Sequence, residues 1–212
     1  MSTKDLPGGL NPAWFKSKWY SGSYNVTKNS RELHYIFVES QWQPEKDPVI
    51  VVMNGGTGSA STYLAFQGIG PVYLRPDSVG GFIEMNNTWC NNASVLFIDN
   101  PAGTGYSWAD RKIDYFGNDY HMKKEAFSLL TQFFKDFPEY LKNSLYLAGF
   151  NYGGVYAPLL ALEIHYYNQE QAMKNGSQVT LKGLILQNGV VDYRFDPNTH
   201  SLDQLYAFGI IP

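Results

Sequence analysis

The sequence has little that would mark an extracellular, membrane-spanning or nucleic-acid-binding chain. Cys90 is its only cysteine, which excludes an internal disulfide framework and suits a reducing compartment. No stretch reaches the roughly 18 apolar residues of a membrane span, and the opening residues lack the apolar core of a signal peptide. With 16 basic and 19 acidic side chains, the chain has no basic run to neutralise phosphates. We therefore expect no membrane span and no nucleic-acid partner.

Apolar and aromatic residues are plentiful instead. Of the 212 residues, 44% are hydrophobic and 16% aromatic, enough to bury one substantial core. Residues 1–212 are therefore predicted to form a single domain. No group of histidine, cysteine and carboxylate residues has the spacing of metal ligands, and no cofactor is predicted.

Apolar runs alternate with helical periodicities along the chain. The runs predict strands, at residues 32–39, 48–53, 94–99, 145–149 and 182–189. Apolar residues that recur every three or four positions predict two long helices, at residues 118–137 and 153–168, the second with an apolar stripe of Val155, Leu159, Leu162 and Tyr166. The lead-in at 11–24 is interpreted as meandering, and the first two strands as a hairpin. The alternation predicts an α/β fold with a mostly parallel sheet after an initial antiparallel hairpin.

The stretch 145–154 organises the prediction of function. An apolar strand runs into a turn with Gly149 and Gly153, and an apolar helix follows. This is the frame of a nucleophile elbow, in which flanking glycines let a strand reverse into a helix and expose one side chain. The apex of such an elbow is a serine. Here it is Asn151, whose carboxamide cannot become an attacking alkoxide.

Glycine-rich turns also follow two other predicted strands, at residues 54–58 and 101–105. Ligands of open parallel sheets bind beyond the carboxyl ends of the strands. The three turns are therefore predicted to build the floor of one pocket, although each turn alone would also suit a purely structural loop.

The order and spacing of these segments closely resemble the serine carboxypeptidase family. The matching stretches are residues 33–40, 47–56, 70–71, 88–89, 95–107, 145–154, 183–192 and 205–211. They extend over nearly the whole chain, but over only about the first half of such an enzyme, whose later part holds the aspartate and histidine of the triad. The resemblance implies an α/β-hydrolase-like domain that is truncated relative to the family and incomplete.

The resemblance also implies roles for individual positions. The backbone N–H groups of Gly56 and Tyr152 would form the oxyanion hole, which does not depend on side-chain identity. Family members hold the C-terminal carboxylate of a peptide with an asparagine, a tryptophan and two glutamates. The asparagine is retained as Asn54. The other three positions are degenerate, as Val52, Gly68 and Phe150.

No other residue is a good replacement for the missing serine. Three serines lie near the predicted pocket turns, where hydroxyls usually bond the backbone: Ser59, Ser61 and Ser107. Cys90 is expected to be a buried, inert thiol. The histidines are expected to be satisfied or solvated, with His34 in a strand, His121 and His165 in or beside helices, and His200 in a polar loop.

We interpret the chain as a catalytically inactive homologue that acts as a binding or structural component. The alternative is a carboxypeptidase, or an acyl-transfer relative, completed by a second chain, with a peptide C-terminus as its ligand. A truncated or misassembled reading of a longer gene is a third explanation. The single cysteine and the lack of a signal peptide favour the cytoplasm, whereas the family is usually vacuolar, lysosomal or secreted, so the compartment stays open.

Another protein chain or a second copy of this one is the expected partner. A parallel sheet needs both of its faces covered, yet only two long helices are predicted. A face with residues such as Leu184 and Leu186 would then be an exposed apolar patch.

Overall fold

The computed structural model describes residues 16–27, 30–75, 81–189, 191–192, 194 and 197–212. Part of the lead-in prediction, residues 11–15, lies outside them. The strands are β1 (Trp19–Asn25), β2 (Arg31–Val38), β3 (Val49–Met53), β4 (Val72–Leu74), β5 (Phe82–Glu84), β6 (Ser94–Ile98), β7 (Trp108–Ala109), β8 (Leu145–Phe150) and β9 (Leu181–Gln187). The helices are α1 (Ser61–Ala65), α2 (Asp119–Asp136), α3 (Gly153–Met173) and α4 (Pro197–Ala207). None of the helices in the described residues is long and apolar enough to cross a membrane.

The main sheet has the strand order β1-β2-β6-β3-β8-β9, with β7 attached to β2. Strands β6, β3, β8 and β9 run parallel, whereas β1 and β2 pair antiparallel. The predicted α/β-hydrolase-like fold, with a mostly parallel sheet and an initial antiparallel hairpin, is confirmed. Strands β3, β6 and β8 read as continuous apolar runs because both of their faces are covered.

The strands of that hairpin differ from the prediction. Residues 19–25, interpreted as a meandering lead-in, form β1 and pair with β2 over Trp19↔Val38 to Asn25↔Glu32. Strand β3 lies deeper in the sheet, because β6 is inserted between it and β2. The sequence of β1 hides this strand, since serines and a glycine separate its aromatic residues and its side chains are only half-buried or exposed.

Helices α2 and α3 pack side by side on one face of the sheet. The sequence offers Asn118 or Asp119 as the cap of α2 and Pro138 as its end. In the structure the cap is the Asn118 side chain, which accepts a hydrogen bond from the His121 N–H at 3.1 Å, and Pro138 follows the helix. The side chains of α2 that enter the core recur every three or four residues, as in Met122, Ala126, Leu129, Leu130 and Phe133.

The buried stripe of α3 is rotated relative to the prediction. Tyr156, Leu160 and Ile164 are buried, whereas Leu162 is 38% and Tyr166 55% exposed. The reason is a buried charge: the core-facing turn also includes Glu163, whose carboxylate lies 2.7 Å from the ammonium groups of two α2 lysines. Hydrophobicity alone does not predict a glutamate on the packed side.

The opposite face of the sheet is covered by the segment between β3 and β6. Glycines punctuate its sequence over residues 57–92, which favours a decorated loop over the sheet edge rather than this cover. The segment contains α1, the small β4–β5 sheet and a 3₁₀ turn at Trp89–Asn91. Ala65, Ile69 and Cys90 pack there against sheet residues such as Val52 and Phe97. The centre of the sheet is therefore covered on both faces.

Strand β9 is the less covered end of the sheet. Leu184 and Leu186 pair in register with Leu147 and Gly149, so they lie on the face that α2 and α3 cover. They are nevertheless 42% and 40% exposed. The exposed leucines of β9 therefore lie at one edge of a sheet whose centre is covered on both faces.

Candidate functional site

A sharp turn between β8 and α3 has the shape predicted for an elbow. Asn151 lies at its apex with a φ of 52° and an exposed side chain. Glycine is required on both sides, because a Cβ on Gly149 would lie 2.0 Å from the Gly153 carbonyl oxygen, and one on Gly153 would lie 2.2 Å from the Met53 oxygen. The strand therefore reverses directly into the helix and presents Asn151.

The hydrogen bonds of Asn151 hold it against the end of β9. Its N–H donates to the Gln187 carbonyl at 3.1 Å. Its Oδ1 accepts a hydrogen bond from Nδ2 of Asn188 at 3.1 Å. In the part of the chain that the structure describes, this apex side chain is paired with another amide and not with a histidine. Asn188 is a site residue that the sequence reasoning did not single out.

The first glycine turn lies directly against the elbow. A Cβ on Gly55 would meet the backbone nitrogens of Gly153 and Tyr152 at 2.3 and 2.4 Å, so only glycine allows this approach. Gly56 follows with an exposed backbone. The two positions predicted to supply oxyanion donors, Gly56 and Tyr152, thus lie on adjoining turns. The Tyr152 hydroxyl donates to Oδ2 of Asp119 at 3.1 Å.

Asn54 uses its carboxamide within its own turn. Its Nδ2 donates to the Ala60 carbonyl at 3.1 Å, and its Oδ1 accepts from the Gly55 N–H at 2.9 Å. Its backbone N–H donates to Oγ of Ser61 at 3.0 Å. Asn54 is also buried. These contacts shape the glycine turn that packs against the elbow.

The three degenerate positions lack charged side chains, and two of them belong to the apolar core. Val52 is fully buried, and Phe150 is 9% exposed with its ring centroid 5.9 Å from that of Trp89. Both lie in the core on the α1 face. Gly68 has a φ of +105°, and nothing lies within 4 Å of where a Cβ would be.

A cavity of about 190 Å³ lies beside these turns. Its walls include Thr57 from the first glycine turn, Pro101 and Ala102 from the second, and Tyr156 from the start of α3. Two of the three predicted strand exits therefore line one cavity. The elbow turn itself, including Asn151, does not line it, and only Tyr156 from the helix that follows does. The segment before α2 and its first turns, residues 114–125, supply the remaining wall together with Arg31.

The buried charge of this pocket is an ion pair that the sequence did not suggest. Glu125 is 3% exposed and pairs with the Arg31 guanidinium, which also donates to the Phe116 carbonyl at 2.9 Å. Burial raises the pKa of Glu125, and Arg31 opposes that shift. Burial, with the nearby charge of Asp119, raises the pKa of Tyr156 to about 12. Arg31 and Glu125 are 94 residues apart, so no local motif could have linked them.

The other candidate residues behave largely as predicted. Ser61 Oγ binds the Asn54 N–H, and Ser107 Oγ donates to the Asp99 carbonyl, so both hydroxyls bond the backbone. Burial raises the pKa of Cys90 to about 12, with Thr88 opposing the shift. The prediction for His200 was wrong, because it lies in α4 and not in a loop. Among the described residues, no group of three or more histidine, cysteine or carboxylate side chains could hold a metal ion.

Comparison with known proteins identifies the family to which this chain belongs. A model of the serine carboxypeptidase family matches residues 7–211. The lysosomal protective protein of Mus musculus is 37% identical over 195 residues, which cover 92% of this chain and 38% of that protein. Serine carboxypeptidase-like 20 of Arabidopsis thaliana is 33% identical over 191 residues, which cover 87% of this chain and 37% of that protein. The crystal structure of Kex1, a prohormone-processing carboxypeptidase of Saccharomyces cerevisiae, matches with a TM-score of 0.76 at 25% identity, over 99% of this chain and 45% of that one. The chain thus spans less than half the length of each of these proteins.

Proposed function

Because this chain belongs to the serine carboxypeptidase family, we propose that it is a catalytically silent member that acts as a binding or structural component. The observation that supports this most directly is Asn151 at the elbow apex, hydrogen-bonded to Asn188. A carboxamide has no hydroxyl or thiol that a histidine base could convert into an attacking nucleophile. Loss of a triad nucleophile costs on the order of 10⁶ in rate, or about 8 kcal/mol of transition-state stabilisation.

The recognition positions support the same proposal. Val52 and Phe150 are packed in the core, and Gly68 has no side chain, so none of the three can hold a carboxylate. The Asn54 amide is engaged within its own turn. Restoring a nucleophile alone would therefore leave a peptide C-terminus without most of its predicted contacts.

A binding role is supported by the β9 edge. Leu184 and Leu186 are about two-fifths exposed on this strand, and within the described residues β9 pairs with β8 on one side only. An apolar strand edge of this kind is stabilised by covering it. The partner that we propose is another protein chain or a second copy of this one.

The second candidate function is a carboxypeptidase, or an acyl-transfer relative, completed by another chain. The observation that favours it is the preserved elbow shape, with Asn151 at φ 52° and the turns of Gly56 and Tyr152 in contact. Such turns can place backbone N–H donors toward an oxyanion. A second chain would then have to bring the nucleophile, the base and the carboxylate contacts.

Release of amino acids from blocked dipeptides, measured by mass spectrometry, separates the two candidates. If the chain is catalytically silent, it releases no amino acid, either alone or with chains that co-purify with it. An active serine carboxypeptidase serves as the positive control. Release by the purified chain alone would contradict silence. Release only after a co-purifying chain is added would support the second candidate.

The partner proposal needs its own measurement, which is analytical ultracentrifugation of the purified chain. We expect self-association at micromolar concentration, or a monomer that binds a dye specific for exposed apolar surface. Leu184→Ser and Leu186→Ser, on the exposed strand, should weaken the association or the dye binding. A stable, cooperatively folded monomer that binds no dye would contradict the proposal.

A further inference from the structure

A serine, a histidine and an aspartate form a hydrogen-bonded chain away from the elbow. Oγ of Ser21 lies 2.9 Å from Nε2 of His34. Nδ1 of the same ring lies 3.2 Å from Oδ2 of Asp99. The three residues come from β1, β2 and the turn after β6, which are neighbouring parts of the sheet.

The atoms are connected in the order that nucleophilic catalysis requires. A carboxylate only accepts hydrogen bonds, so Nδ1 of His34 carries the hydrogen in its contact with Asp99. In the neutral imidazole, Nε2 is then the acceptor for the Ser21 hydroxyl. A serine whose proton points at an imidazole that a carboxylate orients is the arrangement of an activated nucleophile.

Burial increases steadily along this chain of residues. The Asp99 side chain is fully buried and that of His34 is 12% exposed, whereas Ser21 is exposed. Asp99 is held by further donors, the N–H groups of Thr62 at 3.0 Å and Tyr106 at 3.2 Å. The orienting group is therefore fixed in the interior, and the hydroxyl is open to a reagent from solvent.

Aromatic rings lie beside the histidine. The Tyr106 ring contacts the His34 ring edge-on at a centroid distance of 5.2 Å and is 75% exposed. Trp108, which is 44% exposed, pairs in register with Glu32. Glu32 is two residues from His34, so Trp108 lies on the same face of the sheet. These rings offer an apolar surface to a small acyl or aryl group.

We propose that Ser21, His34 and Asp99 form a second nucleophilic site, which takes acyl groups from small activated esters. Ser21 and His34 are its catalytic residues, and Asp99 is a positioning residue that acts through His34. The site is separate from Asn151 and does not depend on whether the elbow is silent.

The reaction conserves atoms and protons. As Ser21 Oγ attacks the ester carbonyl, its proton passes to His34 Nε2. The tetrahedral intermediate collapses by breaking the bond to the leaving alcohol, which takes the proton from His34, and an ester on Ser21 remains. Water, deprotonated by His34, then releases the acid and regenerates the hydroxyl. Because the leaving group of an activated ester departs more readily than the Ser21 alkoxide, we expect acylation of Ser21 to be faster than the hydrolysis that follows.

The test is labelling with p-nitrophenyl acetate and, separately, a fluorophosphonate, followed by peptide mapping. Ser21 should be the labelled residue, and Ser21→Ala should abolish the adduct. Ser23→Ala is the matched control, because Ser23 is an exposed serine of β1 directly opposite His34 in register but is not its hydrogen-bond partner. His34→Gln should slow labelling by about 100-fold or more, the contribution of a general base.

The variant Asp99→Asn tests whether Asp99 orients the His34 ring. It should slow Ser21 labelling and shift the Nδ1–Nε2 tautomer balance of His34 in ¹⁵N NMR, while the circular dichroism spectrum stays native. Urea-denatured wild-type chain gives the labelling rate of Ser21 without its partners. Comparing it with the native wild-type chain tests the proposal even if Asp99→Asn fails to fold. No Ser21 adduct under conditions that fully label a serine esterase would overturn the proposal. So would labelling of native chain no faster than of denatured chain, or equal rates in wild type and folded His34→Gln.

Discussion

The contact between the first glycine turn and the elbow predicts a large effect for Gly55→Ala. An added Cβ would lie 2.3 and 2.4 Å from two backbone nitrogens, where about 3.4 Å is an ordinary contact. Neither nitrogen can retreat, because the elbow is itself pressed against Gly149 and the Met53 carbonyl. Overpacking of this kind costs about 3 kcal/mol at the upper end of its usual range.

Alanine also restricts the unfolded chain, which offsets about 0.4–1 kcal/mol of that loss. The net loss of about 2 kcal/mol should lower the melting temperature by about 4–8 °C for a chain of this size. Thermal unfolding followed by circular dichroism measures it. Gly117→Ala is the matched control, since its Cβ would make only an ordinary 3.9 Å contact. If the melting temperatures of Gly55→Ala and Gly117→Ala were equal, the first glycine turn could not be in contact with the elbow as described.

Three further predictions follow from buried polar groups. Glu163→Gln should cost about 2 kcal/mol at neutral pH in urea unfolding. Burial alone would raise the pKa of the Glu163 carboxyl, but the ammonium groups of Lys123 and Lys124 outweigh burial and hold that pKa below its ordinary 4.5. The difference in stability between wild type and Glu163→Gln should therefore disappear as pH falls through the lowered pKa. A difference in stability that persists in acid would contradict the ion pair. Cys90, with its pKa raised to about 12, should react with a thiol reagent at pH 8 only after denaturation, and rapid native reaction would refute its burial. Asn54→Ala should destabilise the chain by about 1–3 kcal/mol, because two backbone groups lose their partners, whereas unchanged stability would show that the turn does not need this amide.

Long apolar runs made much of the fold predictable. Strands β3, β6 and β8 were recognised because burial on both faces leaves a continuous apolar sequence, and α2 because its period, cap and terminating proline agree. Strand β1 was missed because an edge strand needs few apolar side chains. The buried face of α3 was misjudged because Glu163 enters the core through its ion pairs, which depend on another helix.

The candidate site was predictable only where close backbone packing restricts sequence. Gly149 and Gly153 identify the elbow because no other residue fits there, and Asn151 is then the apex by position. The contacts of side chains distant in sequence were not predictable: Asn188 with Asn151, Arg31 with Glu125, and Ser21 with His34. Each depends on the order of strands or on a helix packed from elsewhere, which no local pattern encodes.

We infer that the elbow keeps the shape of a catalytic turn without its chemistry. The most direct measurement is blocked-dipeptide hydrolysis by purified Asn151→Ser, made in a Ser21→Ala background so that the second site cannot contribute. A serine at the apex would still lack an adjacent histidine within the described residues, and Val52, Gly68 and Phe150 would still hold no carboxylate. We predict no turnover above the background of the Ser21→Ala chain that retains Asn151. Saturable turnover that appears only with the serine would contradict this inference, because it would show that a base and a carboxylate site already lie beside the apex.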